Sequence, residues 1–375
     1  MAEVVDCSVL VPVYNEERHI RASIAAMQRQ RVDGTVEFVF ADGGSTDATR
    51  EILTGLAERD PRIRVFDNPA RTVSSGLNVA LRNARGRWIV RMDAHTVYPD
   101  DYITSGVNRL LQGGTRWVSG PQSPRGHDRV SRAVALALST SFGRGGSRKW
   151  GRSGEEELPE FELDSGIFCG VWEKTTLLEY GGWDERWARN SDSEMAARFL
   201  RNGERLVCLP AMAARYVPRD SLPGLWRQYL GYGEYRVRTA RRHPRSLRRS
   251  HLLPALVVFN GVVAVVGPGR LRAAARAAAV AHLLVLLAVG VRSLPAAEEP
   301  QDAVLVPVAL GTMHFAFGVG MLRAITRAGL PLAALTRAVG LGRLGDALDA
   351  PLDAVFAPSL SVQPRAATAT ADDLS

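Results

Sequence analysis

Cysteine is scarce in this sequence, and its placement shows no sign of a metal cluster. The three cysteines, at positions 7, 169 and 208, are odd in number and lack the short spacings of metal-ligand pairs. They therefore indicate a reduced compartment. The N-terminal residues also lack a basic stretch followed by an apolar one, so we expect no cleaved signal peptide.

Several common nucleotide and nucleic-acid motifs are also missing. No Gly-x-Gly-x-x-Gly pattern follows the first predicted strand and no Walker loop is present, which disfavours dinucleotide and P-loop nucleotide binding. The sequence contains no helix-turn-helix, RNA-binding aromatic motif or zinc finger, so we expect no nucleic-acid partner.

Acidic residues are nearly absent between positions 252 and 345, a stretch rich in Ala, Val and Leu. The formal net charge of the chain is +8, and the excess is mostly arginine in 236–251 and 323–343. Arginines beside apolar runs favour a surface of anionic lipid headgroups, rather than nucleic acid, as the partner.

Predicted strands and helices alternate from the start of the chain. Apolar runs at 4–11, 36–41, 63–66, 88–92 and 117–120 are typical of buried strands, with helical patterns between them. This alternation predicts an α/β fold with a mostly parallel, doubly wound sheet. Beyond this region, the sequence predicts a loop at 143–162, helices at 174–180 and 193–201, and a strand at 205–209.

Polar side chains follow the predicted strands at the points where the strands end. The carboxyl ends of parallel strands form the edge at which open α/β sheets bind their ligands. An acid or a polar cluster stands at four such places, namely Asn15 with Glu16, Asp42, Asp93 with His95 and, later, Asp192.

Asp93 and His95 follow the fourth strand. Alternation along the chain places their side chains on the same side. A carboxylate oxygen and an imidazole nitrogen suit a divalent cation such as Mn²⁺, with positions left open for phosphate oxygens. Alternatively, Asp93 caps the next helix in a simple turn and His95 is only exposed.

The C-terminal part of the chain is predicted to contact a membrane. Residues 222–241 predict an amphipathic helix in which Trp226, Tyr229 and Tyr232 stand among arginines, a composition suited to a bilayer interface. We divide the chain into an α/β domain (1–220), an interface helix with a basic linker (221–251), a membrane region (252–325) and a cytoplasmic, partly disordered tail (326–375).

Three apolar runs make up the membrane region, at 252–267, 273–291 and 303–322. A spanning helix takes roughly 20 residues, so the second and third runs are long enough and the first is marginal. Arginine-rich segments flank the first run and follow the third, and cationic loops tend to stay cytoplasmic. We therefore predict a re-entrant or interfacial first segment and then a two-helix hairpin, with both termini cytoplasmic.

Four motifs together resemble those of the family 2 glycosyltransferases, which have the GT-A fold. The motifs stand at the predicted strand ends in the family's order: Val11-Pro-Val-Tyr-Asn-Glu-Glu17, Ala41-Asp-Gly-Gly-Ser-Thr-Asp47, Asp93-Ala-His95 and Asn190-Ser-Asp192. The Asp-Ala-His motif is similar to that of the membrane-associated exopolysaccharide branch, which includes succinoglycan-type glucosyltransferases. The resemblance covers about residues 5–245 and implies a GT-A catalytic domain.

The resemblance implies a nucleotide pocket formed by Pro12, Tyr14, Glu16, Asp42, Arg71 and Asp93. Asp42 would accept a hydrogen bond from the base, most simply from uracil N3–H; alternatively, it is an acid that closes a tight turn. Arg71 would reach the donor phosphates or lie in solvent.

The resemblance also implies a metal site at Asp93 and His95. The metal would bridge the two donor phosphates and neutralise the departing nucleoside diphosphate, which is a Lewis-acid role. Most relatives carry a second aspartate where this chain has His95. Because imidazole suits Mn²⁺ better than Mg²⁺, we expect Mn²⁺ rather than Mg²⁺ as the cofactor.

Asp192 is the general base that the resemblance implies. A carboxylate there would deprotonate the acceptor hydroxyl as it attacks the anomeric carbon, so that the configuration inverts. Family members usually carry Glu-Asp, whereas this chain has Ser191-Asp192, which keeps the base and removes a neighbouring acid. Asp192 can also cap the helix that it begins.

Two further segments resemble the acceptor side of the family. In the first, residues 165–170, Cys169 is interpreted as a small packed residue because no activating histidine is adjacent. In the second, processive synthases carry Gln-x-x-Arg-Trp and this chain carries Gln-Tyr-Leu-Gly-Tyr, which favours transfer of one sugar per encounter. The predicted acceptor-side residues are Gly170, Trp172, Gln228 and Tyr232.

These features predict an inverting, metal-dependent, non-processive glycosyltransferase. It would move a sugar from a nucleotide sugar, most simply a UDP-sugar, to a polyprenyl-linked glycan at the cytoplasmic face of the inner or plasma membrane. Three alternatives stay open: a polyprenyl-phosphate sugar synthase, a sugar nucleotidyltransferase and a membrane scaffold without enzymatic activity. The side chains that select the sugar are expected on loops such as 121–164.

Overall fold

The computed structural model describes residues 5–150, 158–167 and 169–348. The end of the predicted tail and the middle of the predicted loop at 143–162 lie outside the described residues.

Strands and helices alternate along the described chain. The strands are β1 (Cys7–Val13), β2 (Val36–Asp42), β3 (Ile63–Asp67), β4 (Trp88–Arg91), β5 (Thr96–Val97), β6 (Trp117–Ser119), β7 (Gln122–Pro124), β8 (Phe161–Leu163), β9 (Gly170–Glu173), β10 (Leu206–Cys208) and β11 (Ala214–Tyr216). The helices are α1 (Ile20–Gln28), α2 (Thr49–Ala57), α3 (Val73–Asn83), α4 (Tyr102–Leu111), α5 (Arg129–Ser139), α6 (Ser141–Arg144), α7 (Lys174–Glu179), α8 (Ser191–Arg201), α9 (Leu222–Arg242), α10 (Leu252–Val266), α11 (Gly269–Arg292), α12 (Pro300–Ala328), α13 (Leu332–Ala338) and α14 (Gly342–Leu348).

An eight-stranded sheet lies at the centre of the α/β domain, in the order β3-β2-β1-β4-β9-β6-β10-β8. Strands β1 to β4 run parallel, as do β6 and β10. Strand β9 runs antiparallel to β4 and β6, and β8 runs antiparallel to β10. The predicted mostly parallel sheet is therefore confirmed. The strands in its middle are mostly apolar because both faces of the sheet are covered.

The stretch 121–164, which was expected to consist of loops, contains regular structure. Strand β7 pairs with β11, which pairs with β5, in a second sheet. Helix α5 begins after Asp128, whose carboxylate accepts hydrogen bonds from the backbone N–H groups of Val130 (2.8 Å) and Ser131 (2.9 Å). The sequence pattern missed the strands because two or three residues are too short to show a period.

Helices α9 and α12 pack closely along each other. A Cβ atom at Gly233 of α9 would lie 2.0 Å from the Phe317 carbonyl oxygen, and one at Gly320 of α12 would lie 2.1 Å from the Leu230 carbonyl oxygen. The two glycines therefore allow the helix backbones to touch. Helix α9 is the predicted amphipathic helix, and its apolar side faces α12.

Three helical segments in the described part of the chain are long and apolar enough to cross a membrane: Arg249–Val266, Gly269–Arg292 and Pro300–Ala328. This finding supports association with a membrane. The predicted re-entrant segment forms the continuous helix α10. Large apolar side chains of α10 and α11 are exposed, among them Leu256, Phe259, Val265, Leu283 and Leu284.

The acidic loop before α12 lies against the α/β domain. Arg132 of α5 pairs with Asp302 at 2.8 Å and with Glu299 at 2.9 Å, and the side chain of Asp302 has no exposed surface. The predicted hairpin would place this loop across a bilayer from the domain. In the structure this loop has a cationic partner on the domain, a contact that loop charges alone do not reveal.

We expect Gly320→Ala to separate α9 from α12 and to destabilise the protein by more than about 1 kcal/mol, a typical cost of overpacking. Gly311→Ala in the same helix is the matched control, because its Cβ would meet only Leu286 Cδ1, at 3.8 Å. Alanine there should leave the stability unchanged or raise it, by up to about 1 kcal/mol. Thermal unfolding in detergent measures both variants, and equal Tm values would contradict this packing role of Gly320.

Candidate active site

The ends of β1, β2 and β4 meet at one edge of the central sheet. Strands β1 and β2 pair in parallel up to Val13 and Asp42, and β1 pairs with β4 up to Leu10 and Arg91. The polar segments that follow these three strands are therefore neighbours in space.

The segments after β1 and β2 hold each other by hydrogen bonds. The backbone N–H of Asn15 donates to Ser45 Oγ (3.0 Å), and the N–H of Thr46 donates to Asn15 Oδ1 (2.8 Å). The backbone N–H of Glu16 donates to Thr49 Oγ1 (2.7 Å). These bonds fix the position of Glu16 at the edge of the sheet.

Among the residues that the structure describes, three non-glycine residues have a left-handed backbone, and all three border this site. They are Asn15, Arg71 and Asn190, with φ angles of 54°, 56° and 56°. Such conformations persist only where surrounding contacts hold them, and they cluster at functional sites. The loops of the site are therefore held in shape before any ligand binds.

Tyr14 and Arg71 flank the Gly43-Gly44 turn that follows β2. The Tyr14 ring lies 3.4 Å from the position that a Cβ of Gly43 would take, and the Arg71 guanidinium lies 3.4 Å from that of Gly44. Half of Tyr14 is exposed, so its ring is open to a ligand. Pro12 lies nearby. At this position β1 no longer pairs with β4, so the missing N–H of proline leaves no strand hydrogen bond unmade on that side.

Asp42 is buried at the end of β2, with 4% of its surface exposed. Its Oδ1 accepts hydrogen bonds from the Ser45 hydroxyl (2.6 Å) and backbone N–H (3.2 Å). Asp42 therefore closes a tight turn, which is one of its two predicted roles. Its Oδ2 lies 3.7 Å from Arg50 and accepts no hydrogen bond from the described residues, so this atom is available to a base N–H.

His95 and Glu16 face each other, with 3.1 Å between His95 Nδ1 and Glu16 Oε1. Burial lowers the pKa of His95, but the hydrogen bond with Glu16 and the charges of Asp93 and Glu16 outweigh it and raise the pKa. The charge of Arg219, which was not among the predicted site residues, opposes this rise. Glu16 therefore supports His95 as well as lying at the predicted nucleotide pocket.

The donor set at this edge fits a divalent cation that protein and phosphate hold jointly. Asp93 offers a carboxylate and His95 an imidazole. The described part of the chain contains no group of three or more His, Cys, Asp or Glu side chains that could hold a metal. A cation here would therefore depend on phosphate oxygens to complete its coordination.

Arg91, the last residue of β4, joins two acids that are far apart in the sequence. Its Nε and Nη2 donate to the two oxygens of Asp93 at 2.9 and 3.2 Å, and its Nη1 donates to Asp192 Oδ1. The exposed fractions of the three side chains are only 5%, 15% and 21%. Arg91 was not among the predicted site residues, although a lone arginine in a buried apolar strand indicates buried acidic partners.

Asp192 is the second residue of α8, and its carboxylate turns toward Arg91. Burial raises the pKa of Asp192, and the charge of Asp93 raises it further. Arg91 and Lys149 oppose this shift without cancelling it. The carboxylate is therefore a stronger proton acceptor than an ordinary aspartate.

Gly170 and Trp172, both in β9, lie in different surroundings. Gly170 pairs with Arg91 at the edge that carries the site. The ring of Trp172 packs against Trp117 (5.1 Å between centroids) and Trp183 (5.8 Å), and only 1% of the residue is exposed. The structure thus brings Gly170 to the site and leaves Trp172 in the core.

Gln228 and Tyr232 of α9 meet Tyr216 of β11. The side-chain amide of Gln228 donates to the hydroxyls of Tyr232 (3.0 Å) and Tyr216 (3.2 Å). Asn190 Nδ2 donates to the Tyr232 carbonyl oxygen (3.2 Å), which ties α9 to the start of α8. Tyr232 therefore contacts the residue that precedes α8, the helix that carries Asp192.

Solved structures show which class of protein has this sheet. The structure described as mannosyltransferase PcManGT from Pyrobaculum calidifontis, in complex with GDP-Man and Mn²⁺, shares the fold with a TM-score of 0.54. The two chains are 18% identical, and the alignment covers 87% of this chain and 90% of that one. The fold is therefore that of a GT-A glycosyltransferase.

The chain belongs to glycosyltransferase family 2. The family described as Glycosyl transferase family 2 matches residues 8–159. Succinoglycan biosynthesis protein ExoA of Rhizobium meliloti (strain 1021) is 32% identical over 270 residues, which are 69% of this chain and 78% of that protein. A Methanococcus voltae protein, the dolichyl N-acetyl-alpha-D-glucosaminyl phosphate 3-beta-D-2,3-diacetamido-2,3-dideoxy-beta-D-glucuronosyltransferase, is 20% identical over 234 residues, which are 60% of this chain and 71% of that protein.

Replacing Arg91 by methionine leaves Asp93 and Asp192 without their shared counter-charge. Removing one partner of a buried ion pair costs about 3 kcal/mol, so we expect Arg91→Met to lower the free energy of unfolding by about that amount at neutral pH. The loss should shrink toward pH 4, because protonated carboxyls no longer need the guanidinium. Denaturant unfolding at several pH values measures this.

Arg87→Met is the matched control for this variant. Arg87 precedes the same strand and pairs with Glu173 at 3.1 Å, but 62% of its side chain is exposed. An exposed pair contributes about 1 kcal/mol or less, so the control should unfold nearly as the wild type does. Equal losses in the two variants would refute the role of Arg91 as a buried bridge.

Proposed function

We propose that the protein is an inverting, metal-dependent and non-processive glycosyltransferase, which moves one sugar per encounter from a nucleotide sugar to a lipid-linked glycan. The observation that carries this proposal is the Arg91 bridge. It holds a nucleotide-side acid, Asp93, beside an acceptor-side acid, Asp192, at the ligand-binding edge of the sheet. Sugar transfer requires donor and acceptor to meet, and one arginine that contacts both acids brings the two sides together.

The donor nucleotide would bind around the Gly43-Gly44 turn. The exposed ring of Tyr14 would stack on the base, and Asp42 Oδ2 would accept a hydrogen bond from a base N–H, most simply uracil N3–H. The guanidinium of Arg71, beside Gly44, would reach the phosphates. This arrangement supports a UDP-sugar as the donor.

Asp93 and His95 would hold the divalent cation. When bound, the cation supplies positive charge to the departing nucleoside diphosphate. We infer Mn²⁺ rather than Mg²⁺, because imidazole is a poor ligand for Mg²⁺. The structural relative from Pyrobaculum calidifontis, which was solved with Mn²⁺, supports a divalent cation.

Asp192 would act as the general base. It takes the proton of the acceptor hydroxyl while that oxygen attacks the anomeric carbon and the bond from this carbon to the nucleoside diphosphate breaks. Attack opposite the leaving group inverts the configuration. Arg91 holds the carboxylate in place, and its charge opposes the rise in the pKa of Asp192 and so favours the ionised form.

Two relatives support the class of acceptor. One is named for succinoglycan biosynthesis, and the name of the other contains a dolichyl phosphate-linked sugar. We infer that this chain extends a polyprenyl-linked glycan in exopolysaccharide or cell-envelope polysaccharide synthesis. The apolar helices would hold the site at the inner or plasma membrane, with the catalytic domain on the cytoplasmic side where their arginine-rich flanks favour it.

A polyprenyl-phosphate sugar synthase is the second candidate. Basic side chains near Asp192, Lys149 among them, favour a phosphate close to the reacting centre. A phosphate oxygen is already ionised at neutral pH and needs no general base. The two candidates therefore differ in how much they depend on Asp192.

Nucleotide binding tests the donor side. We expect calorimetry of the detergent-solubilised protein to show tight, Mn²⁺-dependent binding of UDP, weaker binding of GDP and dTDP, and loss of binding with EDTA. Asp93→Asn and His95→Ala should each weaken UDP binding by at least about tenfold, as the loss of a metal ligand does. His127→Ala, with 66% of the side chain exposed, is the control. Folded protein that binds none of the three nucleotides would refute the proposal.

Release of nucleoside diphosphate tests the base, with a total lipid extract as the source of acceptor. Asp192→Asn should lower kcat by about 100-fold or more, the usual contribution of a general base, while nucleotide binding is retained. Activity of the wild type should fall as the pH drops, and the midpoint should lie above the ordinary aspartate range of about 4, because the pKa of Asp192 is raised. A kcat within a few-fold of the wild type would refute the base and favour a phosphate acceptor.

A further inference from the structure

Three basic residues on separate elements meet beside the proposed base. Lys149 lies between α6 and β8, Arg236 on α9, and Arg248 just before α10; we call them the Lys149 cluster. Burial lowers the pKa of Lys149 to about 8, with Arg236 and Arg248 adding to this effect and Asp192 opposing it. Lys149 is thus within electrostatic reach of Asp192 and of the other two cations.

Arg236 is a partly buried cation that has no counter-charge among the residues that the structure describes. Its Nε is buried and has no hydrogen-bond partner, and the side chain forms no ion pair with any residue that the structure describes. Burial and the neighbouring Arg248 lower the pKa of Arg236 to about 10. Burying a guanidinium without a partner costs free energy, so such a group points to an anion that binds there.

In the described part of the chain, nearby acids leave two of the three cations of the cluster without a partner. Arg248 pairs with Asp164, an acid whose side chain is 75% exposed. Asp192, the acid near Lys149, is already paired with Arg91. Among the described residues, Lys149 and Arg236 therefore remain as two cations without an acid of their own.

The Lys149 cluster lies close to the start of α10. The charges of Lys149, Arg236 and Arg248 all act on His251, the residue that precedes α10. The charges that act on Lys149 itself come from Arg236, Arg248 and Asp192. The cluster is therefore near both Asp192 and the first turn of α10.

The start of α10 closes this side of the site. The backbone N–H of Arg248 donates to His251 Nδ1 (3.1 Å), and the His251 ring stacks on Phe317 of α12, with 6.4 Å between centroids. Helix α10 begins at the next residue and carries exposed apolar side chains. An anion bound at the cluster would therefore lie where an attached apolar chain can reach α10.

We propose that Lys149, Arg236 and Arg248 bind the phosphate groups of a polyprenyl-linked acceptor. This inference rests on the proposed function and adds the site that recognises the lipid headgroup. Three cations suit a phosphate or diphosphate, and the adjoining apolar helices suit the prenyl chain. The site holds the acceptor beside Asp192, away from the donor diphosphate at Asp93 and His95.

Binding of farnesyl diphosphate to the full-length protein in detergent, without nucleotide, tests this site by calorimetry. We expect Arg236→Met and Lys149→Met each to weaken binding by at least about tenfold, which corresponds to 1.4 kcal/mol. UDP binding in the presence of Mn²⁺ should stay unchanged in both variants. Arg227→Met, an exposed arginine of the same helix, is the control and should bind as the wild type does.

Two further probes distinguish the contribution of the phosphates from that of the prenyl chain. Farnesol lacks the phosphates and should bind weakly and equally to all variants. Inorganic diphosphate lacks the chain and should bind more weakly than farnesyl diphosphate. Equal affinity for farnesol and farnesyl diphosphate would overturn the phosphate site, and equal affinity for inorganic and farnesyl diphosphate would overturn its assignment to a lipid.

The remaining outcomes are equally decisive. If Arg236→Met weakened UDP binding as much as farnesyl diphosphate binding, the cluster would serve the donor and the proposal would be wrong. Failure of the wild type to bind any nucleotide would refute the proposed function, whereas the farnesyl diphosphate measurement would still report on the cluster. Arg236→Met should not lower Tm, because it removes a charge without a described partner, so lost binding cannot be assigned to unfolding.

Discussion

One buried guanidinium holds the reacting edge of this protein together. Arg91 ends a core strand and binds two carboxylates, one two residues further along the chain and one 101 residues away on another element. Without the arginine, two half-buried acids at this distance would repel each other and take up protons. With it, both acids are held by one side chain, and the proposed nucleotide side is joined to the proposed acceptor side. The fold and the proposed chemistry therefore depend on the same contact.

The proposed donor side and the proposed acceptor side differ in the sign of their charge. Acids and an imidazole stand at the sheet edge, where a cation and a diphosphate would complete the donor side. Near Asp192, Lys149 and Arg236 have no acidic partner among the described residues, and the cluster adjoins the start of α10. Helix α12 connects these regions, because it packs on α5 and α9 of the domain and also on α10 and α11. A lipid-linked acceptor could therefore bring its headgroup to the base without leaving the apolar surface.

Much of this arrangement could be predicted because it follows from local patterns. Apolar runs that end at Asp42 and Asp93 predict parallel strands, and parallel strands bring their carboxyl ends to one edge. The pattern could not show that Trp172 lies in the core, since a tryptophan near a loop motif suits either position. It also missed Arg219 and Lys149, which lie in stretches without periodicity and reach the site only through the packing of β7, β11 and α9.

The sequence by itself determined the order of strands and helices, the polar segments at the strand ends and the apolar character of the last three helices, because each is a property of neighbouring residues. Only the tertiary structure decided which acids share Arg91, that Arg132 holds the acidic loop to the domain, and that Arg236 meets Lys149 without a described counter-charge. These are contacts between segments that lie far apart in the sequence, and their free energies depend on burial and on the distances between charged groups. Neither quantity is present in a string of residues.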